Sequence, residues 1–180
     1  MKNDRPHGEG QGGFTLIEAL VVMIVGIVIL AAAAAGIGKL FHASEISTEA
    51  NHITQITANV KNLRGPKGYQ GLTNEMAVKY KAIPADMAVS ADGKSIFNSW
   101  KGAVTVAASG DRAFSITYDG VPPEACQQLV LKLRTGTLLN RAFWETLKVG
   151  GVRIYSTSSL TTIGGACKAE NNSIEFLSVS

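Results

Sequence analysis

Few residues in this chain have the type and spacing to do chemistry. The most conspicuous is one acid, Glu18, at the head of a run with no charge, amide or proline from Ala19 to Gly38. A helix over those roughly 20 residues is about 30 Å long, enough to cross a bilayer. A carboxylate in such a segment costs roughly 2.5–3.5 kcal/mol, so it usually has a partner. A signal anchor with a stray interfacial acid is the plain alternative. His7, His42 and His52 lack cysteines at ligand spacing, and the last two are too far apart in sequence to share a helical face as i, i+3 or i+4 neighbours. There is no H-E-x-x-H and no G-x-S-x-G. Gly93-Lys94-Ser95 matches the end of a phosphate-binding loop, but Ala88 stands where that loop needs its first glycine. Trp100, Phe143 and Trp144 read as core or rim aromatics rather than a ligand box. No catalytic, metal or cofactor site emerges, and the chain is not expected to be an enzyme.

The elements that would position these residues follow from periodicity. Beyond Lys39, Ile46, Ala50, Ile53, Ile56, Val60 and Leu63 recur every three or four positions, with polar residues such as Ser47, Asn51 and Gln55 between them. Arg64-Gly65-Pro66 is a helix stop. The pattern predicts one helix from Thr15 to Leu63, apolar all round in its first half and amphipathic in its second. Gly65 to Ser99 reads as a connecting region. It holds a short helix over Thr73–Lys81, with Leu72, Met76 and Tyr80 on one face and Ile83-Pro84 as its stop, then a turn at Asp92-Gly93. Ala103–Ala107 and the alternating Phe114–Tyr118 read as a hairpin. Val121-Pro122-Pro123-Glu124 opens a helix whose core face carries Cys126, Leu129, Val130 and Leu133, and Gly136 ends it. Residues 137–145 fit helix and loop equally. Leu147 to Tyr155 reads as one or two strands broken at Gly150-Gly151. Ser156–Ala166 reads as a small, polar lead into Cys167, and Ser173–Val179 as a last strand with Ile174 and Phe176 on one face.

At 180 residues the chain suits one membrane helix and one globular domain of roughly 115–120 residues. The formal charge of +3 is small and its lysines and arginines are scattered, so nucleic-acid binding is not expected. Residues 1–13 form a polar segment in which Lys2 and Arg5 balance Asp4 and Glu9, which leaves the positive-inside rule almost silent. The apolar run is too long for an ordinary secretory signal peptide.

Gly13-Phe14-Thr15-Leu16-Ile17-Glu18, followed by the long uncharged run, resembles the processing site of type IV prepilins. The resemblance implies cleavage by a prepilin peptidase between Gly13 and Phe14, N-methylation of Phe14, and an assembly role for Glu18. The cationic amine that cleavage exposes on Phe14 and a neighbour's Glu18 would neutralise each other in a helix bundle and help set the register between subunits. The order of elements resembles the type IVb pilins. Trp100–Gly102, the Phe114–Tyr118 strand and Val121–Cys126 look most like the pilins of conjugative thin pili and the toxin-coregulated and bundle-forming group.

That resemblance implies an α+β fold: a long N-terminal helix, membrane-spanning in its first half, packed on a C-terminal antiparallel-sheet domain with one disulfide. The expected divisions are a leader at 1–13, a stem helix at 14–63 with its transmembrane part at 14–38, and a head domain at 64–180. Cys126 and Cys167, two distant cysteines in an exported domain, read as one disulfide, with two unrelated buried thiols as the alternative. The region they bound is expected to be irregular and surface-facing. The expected function is that of the major subunit of a type IVb pilus, for adhesion, aggregation or conjugative mating contact. Alternatives are a minor pilin, a type II secretion pseudopilin, or a membrane-anchored exported binding domain that does not polymerise. The partners implied are further copies of the chain, the prepilin peptidase, an inner-membrane assembly platform and a motor ATPase. The location implied is the bacterial inner membrane, single-pass with the head periplasmic, and then the extracellular filament.

Overall fold

The computed structural model describes residues 15–135 and 146–179. The chain divides into two units, Met1–Phe41 and His42–Ser180. Helix α1, Leu16–Asn62, supplies the described part of the first unit and continues into the second. Its start and end lie one residue inside the boundaries that periodicity predicts.

In the second unit seven antiparallel strands form one sheet: β1 (Ala88–Val89), β2 (Ile96–Phe97), β3 (Ala103–Ala108), β4 (Ala113–Val121), β5 (Thr146–Val149), β6 (Val152–Ile154) and β7 (Asn172–Val179), in spatial order β1-β2-β3-β4-β7-β5-β6. Register lines up one buried row of Ile96, Val104, Tyr118, Ile174 and Val149, and beside it a second of Val106, Ile116, Phe176, Leu147 and Ile154. With a side-chain period of two, the residues of these rows lie on one face of the sheet, while Leu177 of β7 falls on the other. Ile46, Ala50, Ile53, Ile56 and Val60 of α1 belong to the same core. So do Cys126, Leu129, Val130 and Leu133 of α3 (Pro123–Thr135), each at most 1% exposed. The face predicted for α3 is therefore the one it buries.

Cys126 is joined to Cys167, with their Cα atoms 5.7 Å apart. Cys167 caps the end of α4, Leu160–Ala166, which begins at Ser159, whose hydroxyl accepts from the Thr162 N–H. This helix corrects the reading of 156–166 as a polar lead. The region bounded by the cysteines is ordered among its described residues, with a β5–β6 hairpin turning at Gly150-Gly151 and then α4. Residues 136–145, including Gly136, Phe143 and Trp144, lie outside the described residues.

Two further corrections fall between 65 and 99, and one reading there agrees with the structure. The connecting region contains β1 and β2, each only two residues long and too short for a periodic signal. The short helix α2, Asn74–Lys79, buries Ala77, while Tyr80 is 57% exposed. It stops at Tyr80 because Lys81 takes the left-handed conformation (φ 56°), before Ile83-Pro84 is reached. Gly93 at φ 70° turns the chain from β1 back to β2, so Gly93-Lys94-Ser95 opens a strand and not the helix a phosphate-binding loop needs.

Candidate assembly site

At the start of α1 the geometry is a reciprocal cap. The Glu18 N–H reaches the Thr15 hydroxyl at 3.4 Å, and the Thr15 N–H donates to Glu18 Oε2 at 3.0 Å. The Thr15 hydroxyl also donates to Oε2, again at 3.0 Å. Thr15-x-x-Glu18 is thus a capping box, which satisfies helix donors that otherwise have no partner. Both bonds fall on Oε2, and Glu18 Oε1 has no partner among the described residues. The sequence carried this signature, and the reading of Glu18 as a membrane acid passed over it.

Leu16–Ala34 is long and apolar enough to cross a membrane, by length and composition, with a mean hydropathy of 2.9. Its side chains are exposed in the single chain: Leu16, Met23 and Leu30 are each more than 70% accessible. An apolar surface of that extent calls for lipid or for other apolar helices. Gly13 and Phe14, the expected cleavage and methylation positions, lie outside the described residues, as does His7.

Within the second unit a buried polar cluster ties the upper part of α1 to two loops. Glu49 is 1% exposed. Its Oε1 accepts from both the N–H and the hydroxyl of Ser99, each at 2.6 Å, and its Oε2 lies 3.3 Å from His52 Nδ1. The other ring nitrogen, Nε2, is 2.9 Å from Asp86 Oδ2. Carboxylates face both ring nitrogens, so the imidazole meets both as a donor when it carries both protons. The bond from His52 holds the Asp86 carboxyl below its ordinary range. The buried Tyr118 phenol is pushed well up by burial and by the Glu49 charge, and its hydroxyl makes no hydrogen bond of ordinary geometry.

Asn98 shapes the loop that brings Ser99 in. Its Oδ1 accepts from the N–H groups of Trp100 and Gly102, and its Nδ2 donates to the Asp119 carbonyl. Gly102 lies so close to Asp119 that a Cβ there would sit 1.7 Å from the carbonyl oxygen. Only glycine permits that approach. The loop leaves Trp100 partly buried on the rim of the core, as expected of a structural aromatic.

Glu49, Asp86 and Ser99 were not found from sequence, and His52 was considered there only as a metal ligand. Glu49 carried a signal, because it falls at i+3 from Ile46, on the apolar face. Asp86 and Ser99 carried none, since loop geometry alone brings them in. His42 is exposed and 3.6 Å from Glu45. Among the described residues no group of three or more His, Cys, Asp or Glu side chains could hold a metal ion.

Comparison with known proteins separates the chain in the same way. A model of the prokaryotic N-terminal methylation motif matches residues 10–34. The PilS N terminal family model matches residues 43–179. The chain belongs to the PilS N-terminal family, and it is a type IV pilin. Among solved structures it is similar to the crystal structure of the type IV b pilin from Salmonella typhi, with a TM-score of 0.56 over 74% of this chain and 99% of that one. At 18% identity that likeness concerns the fold. No curated protein matches the chain. The pilin fold, with its long apolar helix, seven-stranded antiparallel sheet and one disulfide, is a structural rather than an enzymatic one.

Proposed function

We propose that this pilin is the major subunit of a type IVb pilus, a surface filament for adhesion, aggregation or conjugative mating contact. One observation carries the reading: the methylation-motif match at 10–34 is followed within the same chain by a pilin domain match at 43–179. In this account residues 1–13 are a leader. A prepilin peptidase cuts between Gly13 and Phe14 and methylates the new Phe14 amine. Residues 14–63 form the stem, membrane-spanning over 14–38, and 64–180 the periplasmic head. An inner-membrane platform and a motor ATPase then drive the chain into the extracellular filament.

Glu18 is the assembly residue. The capping bonds use Oε2 and leave Oε1 for the Phe14 amine of a neighbouring copy, which supports this role. Breaking a buried pair by removing one partner costs about 3–5 kcal/mol. Glu18→Ala as the only copy is therefore expected to give protein that is inserted, stable and processed, but few or no filaments. Comparing membrane-fraction protein with sheared filament protein tests this. A normal filament yield from Glu18→Ala would remove the pairing and favour an exported domain that does not polymerise.

A further inference from the structure

Beyond the end of α1, two turns far apart in sequence are fastened together. Gly65 and Gly68 exchange backbone hydrogen bonds at 3.0 and 2.9 Å, closing a tight turn around Pro66-Lys67. Gly68 sits at φ 70°, and a Cβ there would lie 1.5 Å from the Asp111 carbonyl oxygen. The Tyr69 N–H donates to that same oxygen at 3.1 Å, and Gln70 Nε2 donates to Asp111 Oδ1 at 2.8 Å. The turn that follows α1 is thereby bolted to the turn between β3 and β4.

An open cavity of about 540 Å³ lies over the junction, and its lining includes Arg64 and Lys67 from the first turn and Arg112 from the second. None of these three side chains has a hydrogen-bond or ion-pair partner among the described residues. Asp111 is the one acid in the lining, and Gln70 already engages it. Three cations against one carboxylate leave the lining with a net formal charge of +2. Like charges gathered on a fixed backbone make a positive potential, which Asp111 offsets only in part among the described residues. Two arginines offer planar forks that match phosphate and sulfate oxygens, and the lysine adds a point charge. The volume falls in the range of roughly 300–1,000 Å³ that holds small ligands.

We propose that this cavity is a binding site for a phosphate- or sulfate-bearing ligand, held by Arg64, Lys67 and Arg112. The site is independent of the N-terminal assembly machinery. Calorimetry on the full chain in detergent micelles at low salt tests it, with pyrophosphate as one probe and a sulfated disaccharide as the other.

The expected result is saturable one-to-one binding of at least one probe, weakened by added sodium chloride. Binding of pyrophosphate alone assigns a small phosphate compound, and tighter binding of the disaccharide assigns a sulfated glycan. The Arg64→Gln/Arg112→Gln double variant is expected to bind at least tenfold more weakly. Asp111→Asn, which keeps the acceptor for Gln70 and removes the charge, is expected to bind more tightly. Lys168→Gln, an exposed lysine outside the lining, is expected to match the unsubstituted chain. Lys67→Gln serves as a single-site check should the double variant melt early. No saturable binding of either probe, or equal binding by all variants, overturns the proposal.

Discussion

Glu18 caps α1 through Thr15, and the proposed assembly role would give the same side chain a second purpose. In the single chain Glu18 closes the first turn of α1 through Thr15, and one carboxylate oxygen is left over. A capping residue of this kind contributes about 1 kcal/mol to its helix. It also fixes where the carboxylate points. Thr15→Val keeps the shape and removes the hydroxyl. It is expected to lower filament yield while leaving membrane insertion unchanged, and Thr15→Ser is expected to restore the yield. Sheared-filament protein from the three strains measures this, and equal yield from Thr15→Val would show that the cap does not orient Glu18. Both residues were visible in the sequence, but the spacing Thr-x-x-Glu had to be read as a helix start before the bond could be inferred.

At the scale of elements, what was legible followed periodicity and what was not followed loops. The buried face of α3 and the alternation along β4 could be read directly, because a repeating contact with one core leaves a repeating pattern. The two-residue strands β1 and β2 leave no such pattern, and α4 is a short helix with Ile163 as its one buried residue, held by a cap and a disulfide. The crosslink closes a separation of 41 residues, which the chain-entropy relation values at about 4 kcal/mol. Cys126→Ser/Cys167→Ser is therefore expected to lower unfolding stability by about that amount and to expose the region between the cysteines to proteolysis. Denaturant unfolding and limited digestion check both effects. The cluster on α1 predicts a pH dependence. Asp86 has its folded pKa depressed by the bond from His52, so the stability it contributes is present above its unfolded pKa of about 3.9 and is lost as pH falls through the lower folded value. Asp86→Asn is expected to melt below the unsubstituted chain at pH 6, with the gap closing as pH drops below about 4. Because the Asp86 side chain is 68% exposed, added salt is expected to narrow the gap at pH 6. A gap that stayed constant through the acid range would assign Asp86 no ionic part in the cluster.

For the whole molecule, the two units make different demands. The second unit, which includes the upper part of α1, has its own core, sheet and crosslink, whereas the apolar half of α1 presents side chains that water does not suit. A chain built this way is incomplete as a surface until lipid or other copies cover the apolar half of its first helix. In the proposed account, processing is the step that moves it from one covering to the other, because it would create the amine that Glu18 is proposed to meet. The account therefore rests on where the mature chain begins and on what it is found in. The measurement that tests this most directly is intact-mass and N-terminal analysis of the main subunit of sheared surface filaments. The account predicts that this subunit is the present chain, beginning at Phe14, carrying one methyl group on its amine and the Cys126–Cys167 bond. Filaments made of another protein, or a surface form that still carries residues 1–13, would contradict it.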